Sequence, residues 1–174
     1  MNEDDSFALS IGAIDGLITS LMITSNAIIS KSNIMLEAAL RISLGSAVVG
    51  AASFFVAEYG RLRQGEYRIA HLLKPSLNPS QRKTSVMKRN LSDAFKGGSL
   101  SFIMGFVGAA IPIVSYSLLH RGGIYSLGFS YLALGIMGIF LGKSSGGKVS
   151  NWFISLVILG VIMTVAGYYL RIVS

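Results

Sequence analysis

The chain contains no cysteine, which excludes a disulfide framework, a thiolate metal site and a cysteine nucleophile. Charge is also scarce. Only 13% of the 174 residues are Asp, Glu, Lys or Arg, whereas about a quarter is usual in a soluble domain. Histidine occurs twice, at His71 and His120, too far apart in sequence for a zinc-type pair. No nucleophile–base pair and no Walker A loop can be drawn. The "GGK" at Gly146–Lys148 has neither the first-glycine spacing nor the Ser or Thr after the lysine. These absences argue against an enzyme and against a covalently bound cofactor. The opening "MNEDDS" is acidic where a secretory signal would be basic, so the apolar run from Phe7 is expected to be retained as a span.

Apolar residues are abundant. They make up 52% of the chain, and the mean hydropathy is +0.61. Five runs are long enough for a bilayer, which needs about 20 helical residues: residues 7–30, 36–59, 98–120, 124–142 and 150–172. The expected fold is all-α, a single polytopic transmembrane domain over 1–174 with five transmembrane helices. Basic residues crowd the segment 60–97, including Arg61, Arg63, Lys88, Arg89 and Lys96, and recur at Lys143 and Lys148 in the joint before the last span. The positive-inside rule makes that side cytoplasmic, so the N-terminus is expected in the cytoplasm and the C-terminus outside. The net charge of +7 then reports topology and contact of segment 60–97 with anionic lipid. No aromatic stacking pattern accompanies the basic run, so nucleic acid is not expected as a partner. The expected location is a multi-pass position in a membrane, a prokaryotic plasma membrane ahead of an organelle.

One stretch of the first span, "IGAIDGLITSLMITSN", carries a carboxylate, Asp15, inside its apolar run. An ionisable side chain there costs roughly 2.5–3.5 kcal/mol on insertion scales and marks a functional site by default. Thr19, Met22 and Asn26 follow it at helical spacing on the same face, as the wall of a cation path would. Ser, Thr and Asn in such rows also serve as polar seams between helices. Gly12 and Gly16 flank Asp15 four residues apart and favour close approach of another helix on an adjacent face. Span two is rich in small residues and ends in Glu58, which is either an interfacial side chain or a partner carboxylate to Asp15 with a cation or proton between them. In span three, Pro112 removes one main-chain hydrogen bond and is expected as a helix break.

Together, "DGLITSLMITSNA", "GAASFFVAEY", "GFVGAAIPIVSY" and the glycine-rich last two spans resemble the vacuolar iron transporter family over most of the chain. The resemblance implies a five-helix homodimer that exports Fe2+, and often Mn2+, from the cytoplasm in exchange for protons. It makes Asp15 the metal-translocation aspartate of the first helix and Glu58 the glutamate of the family's "GEY" stretch. Two positions depart from the pattern: Phe54 stands where the family commonly has methionine, and Ser46 lies near the place of a further glutamate. The family's carboxylate-rich cytoplasmic domain is replaced by a short basic segment, in which Glu66 and His71 are the candidate cytoplasmic metal contacts. Two alternatives stay open: a non-transporting scaffold or partner-binding protein of the same fold, and a transporter of another cation.

Overall fold

The computed structural model describes residues 3–31, 34–72, 79–118, 123–144 and 146–170. They form five α-helices: α1 (Glu3–Ser30), α2 (Leu36–Leu72), α3 (Pro79–Leu118), α4 (Gly123–Ser144) and α5 (Val149–Leu170). No strand occurs among the described residues. Each helix contains a stretch long and apolar enough to cross a membrane. The expected spans 7–30 and 36–59 lie within α1 and α2. The end of the expected third span at His120, and the last residues of the fifth, fall outside the described residues. Much of segment 60–97 proves to be helix continuous with its neighbours. α2 runs on to Leu72 and α3 begins at Pro79, as expected where proline is well placed in a first helical turn.

α1 is the central helix, in contact with all four others. It lies parallel to α3 with a nearly constant offset. Asp5 meets Lys96, Gly12 meets Ser101, Gly16 meets Gly105, and Tyr116 Oη donates to the Ala27 carbonyl at 3.1 Å. A Cβ at Gly12 or Gly16 would run into the main chain of Ser101 or Gly105, and one at Gly108 into the Ala13 carbonyl. The small-residue face expected around Asp15 is therefore the α1–α3 seam. α2 runs antiparallel on the other side of α3, with Ala47 against Gly105 and Phe54 and Phe55 against Gly97 and Gly98. α4 and α5 form an antiparallel pair in which Gly135, Gly138 and Gly142 receive Phe153, Trp152 and Val149. Tyr131 Oη and Thr164 Oγ1 share a hydrogen bond of 2.7 Å across the same pair. Apolar side chains close the centre in two clusters, Leu17–Leu21–Leu134 and Ile14–Leu141–Leu156.

Pro112 does not break α3. The helix is continuous through it, and the buried Pro112 carbonyl accepts the Ser126 hydroxyl of α4 at 2.7 Å. The missing N–H costs one rung of the ladder, the bond to the Gly108 carbonyl, and the helix runs on without it.

The burial pattern fits a multi-pass membrane protein. In the most apolar window of α1, 56% of residues are buried, against 17% in α2 and 11% in α5. Val48, Val49 and Val56 on α2 and Ile154, Ile158, Val161, Ile162 and Val165 on α5 point outward. Water does not tolerate so much contiguous apolar surface on a monomer, whereas hydrocarbon does. Several buried serines, by contrast, are satisfied within their own helices. Ser10, Ser20, Ser43 and Ser130 each donate to the carbonyl four residues back, at 2.7–2.9 Å.

Candidate cation site in the α1–α2 groove

Because α3 lies between them, α1 and α2 touch over only part of their length and diverge into a groove of about 780 Å3. Phe7, Ile11, Asp15, Thr19 and Ile23 form its α1 wall, a row at four-residue spacing. Its α2 wall includes Ser46, Gly50, Phe54 and Glu58, again four apart, and Ser101 of α3 forms part of the floor. Most of the lining is apolar, so the few oxygens stand out.

Asp15 is exposed to this groove. Its carboxylate takes up the space beside Gly50, where a Cβ on that residue would come within 2.5 Å of Oδ2. No hydrogen bond or ion pair to Asp15 occurs among the described residues. A bare carboxylate facing hydrocarbon is costly, and a proton, water, a cation or a protein partner would each relieve that cost. Thr19 lines the same wall one turn on.

Glu58 lines the groove as well, but it does not stand opposite Asp15. Gly50, beside the Asp15 carboxylate, and Glu58 are eight residues apart on α2, about 12 Å at 1.5 Å per residue. Glu58 is instead gripped by Arg61, with Nε at 2.8 Å from one carboxylate oxygen and Nη2 at 2.6 Å from the other. The Glu58 side chain is 13% exposed and Arg61 is 60% exposed, so the pair sits at the groove mouth with its cation outward. Near this end of the bundle Lys96 of α3 binds both carboxylate oxygens of Asp5 of α1, at 2.8 and 2.9 Å.

The remaining expected wall residues leave the groove. Met22 is half-buried, its main chain packed against Gly167 of α5. Asn26 is buried and hydrogen-bonded. Angle alone puts both near the Asp15 face, but the groove follows the four-residue row, and that row ends at Ile23. Phe54, at the position of the family's methionine, lines the groove while packing its ring on Gly97. Glu66 and His71 fall on the last turns of α2, and their side chains lie outside the described residues. No group of three or more His, Cys, Asp or Glu side chains able to hold a metal occurs among the described residues.

Sequence reasoning passed over Ser101. It is buried beneath the groove at 1% exposure, and its hydroxyl has no hydrogen-bond partner among the described residues. A serine in "GGSLSF" carries no signal by itself. Only the approach of α3 to both α1 and α2 brings it under Asp15. Comparison with family models, with curated proteins and with solved structures returns no match for this chain.

Proposed function

We propose that this protein is a membrane transporter of a divalent cation, Fe2+ or Mn2+, with Asp15 as the central ligand of the path. One observation carries the reading: an unpaired carboxylate, midway along a membrane-length helix, opens into a groove between two such helices. Thr19 supplies a neighbouring wall oxygen, and Glu58 with Arg61 forms the mouth. The basic charge on the α2–α3 extensions supports a cytoplasmic position for that end and the N-terminus, with the C-terminus outside. Exposed Lys88 and Arg89 rest on anionic lipid there. Export against a gradient then draws on proton exchange, since no nucleotide-binding loop is present in the sequence. A homodimer pairing two such grooves would remove Asp15 from lipid.

The test is uptake of Fe2+ and Mn2+ into proteoliposomes across an imposed pH gradient, wild type beside Asp15→Asn. Uptake is expected in the wild type and only background in the variant, with unchanged helicity and elution volume. Equal uptake by the two proteins sinks the assignment.

A second reading, a scaffold of the same fold that moves nothing, draws on a different observation. Glu58 already holds an internal cation, Arg61, and no three-ligand cluster accompanies Asp15 among the described residues. Folded wild-type protein that takes up neither ion would favour it.

A further inference from the structure

Among the described residues, three buried hydroxyls have no hydrogen-bond partner: Thr24, Ser46 and Ser101. Elsewhere in the bundle buried serines find a carbonyl, as Ser20 does in its own helix at Gly16 and Ser126 does across to Pro112, each at 2.7 Å. An unbonded buried hydroxyl is a cost that folding normally avoids. Two of the three, Ser46 and Ser101, line the groove that holds Asp15.

The levels agree. Gly98 of α3 packs on Ala51 and Phe55, and Gly105 packs on Ala47. Ser101, between them, therefore falls near the level of Gly50, which is where the Asp15 carboxylate lies. Ser46 stands one turn from Gly50 on the same α2 row. On the α1 side, Gly12 leaves room beside the Ser101 hydroxyl: a Cβ there would come within 2.8 Å of Ser101 Oγ. Residues of three helices thus line one apolar groove around a single carboxylate, with the Ser46 and Ser101 hydroxyls buried just beneath its surface.

We propose that Ser101 and Ser46 are ligands, completing with Asp15 an all-oxygen site for a hard divalent cation. The inference rests on the transport reading above and adds to it the ligand set. One carboxylate and neutral hydroxyls suit a hard cation such as Mn2+ better than a soft one. They also hold it weakly, as a site that must release its cargo requires. The hydroxyls lack partners within the protein because the cation and its waters are their partners.

This makes an unusual demand on the serine-to-alanine variants, because fold and binding should move in different directions. The measurement is thermal unfolding of purified protein in detergent at increasing Mn2+, which stabilises the folded form according to its affinity. Without metal, Ser101→Ala and Ser46→Ala should melt at the wild-type temperature or above it, since each removes an unsatisfied hydroxyl. Each should shift the Mn2+ midpoint upward by about tenfold, the loss of one hydrogen-bond-strength contact to a charge. Thr24→Val, which deletes the orphan hydroxyl that does not line the groove, should leave the Mn2+ midpoint unchanged. If Ser101→Ala lowers the metal-free melting temperature, or retains the wild-type midpoint, the ligand assignment is overturned. Asp15→Asn separates the two levels of the argument. A response to Mn2+ that is lost in Asp15→Asn but intact in both serine variants removes only the serine ligands. A wild type that Mn2+ does not stabilise removes both the ligands and the transport reading.

Discussion

Gly50 and Asp15 share one small space in the groove. The carboxylate occupies the volume where any side chain at position 50 would begin. Alanine there meets only the far end of a flexible side chain, so Asp15 can rotate away at little cost. Alanine is also the better helix former, by about 0.8–1.0 kcal/mol. Gly50→Ala is therefore expected to melt at or above the wild-type temperature while losing most metal uptake, because the carboxylate is displaced. Unchanged uptake in a stable Gly50→Ala protein would show that the exact placing of Asp15 does not matter. Asp15 was legible in the sequence, since a carboxylate in an apolar run stands out without any structure. Ser101 was not, because nothing local distinguishes a ligand serine from the packing serines around it. Glu58 was legible as a candidate, but its grip by Arg61 three residues on was overlooked although both residues were in plain view. Met22 and Asn26 fall outside the groove for geometric reasons: Met22, though within its length, has its main chain against Gly167 of α5, and Asn26 lies beyond Ile23, where the lining row ends.

At the scale of elements, α1 does two jobs on neighbouring faces. One face carries Asp15 and Thr19 into the groove, and the other lays Gly12 and Gly16 against the main chain of α3. The two jobs can be separated by mutation. Gly16→Leu forces a side chain into the Gly105 carbonyl and the Ala109 nitrogen, neither of which can yield. A loss of about 1–3 kcal/mol or more is expected from such overpacking, read as a lower melting temperature in detergent with or without metal. A Gly16→Leu protein as stable as wild type would contradict the α1–α3 seam. The pattern of small residues announced this seam. It did not announce the partner, because glycines on α1, α2 and α3 all invite close approach and the sequence alone does not pair them. Pro112 is the converse case. Its local rule predicts a break, yet α3 runs on through it, packed against α1 and α2, while its carbonyl takes the Ser126 hydroxyl.

For the whole molecule, length and hydropathy were enough to read five spans, because bilayer thickness imposes one length on every crossing helix. The arrangement of those spans was beyond reach, since outward faces in lipid are as apolar as the core and leave no periodic signal. Orientation is open to direct measurement. The chain lacks cysteine, so single cysteines introduced at exposed Lys88 and at exposed Met35 give unambiguous labels. In right-side-out vesicles a membrane-impermeant maleimide is expected to label Met35→Cys at once and Lys88→Cys only after lysis. The reverse order would invert the topology.

The constant offset between α1 and α3 has a further consequence, in the order of events during synthesis. Each contact along that seam joins residues about 90 positions apart, which at ~5–20 residues per second is a delay of roughly 5–20 s between the emergence of one half and the other. Throughout that interval the nascent α1 holds Asp15 with no floor beneath it and no Gly105 to pack on. α3 therefore arrives not as one more helix added to a finished pair but as the piece that supplies both the missing seam and the floor of the groove.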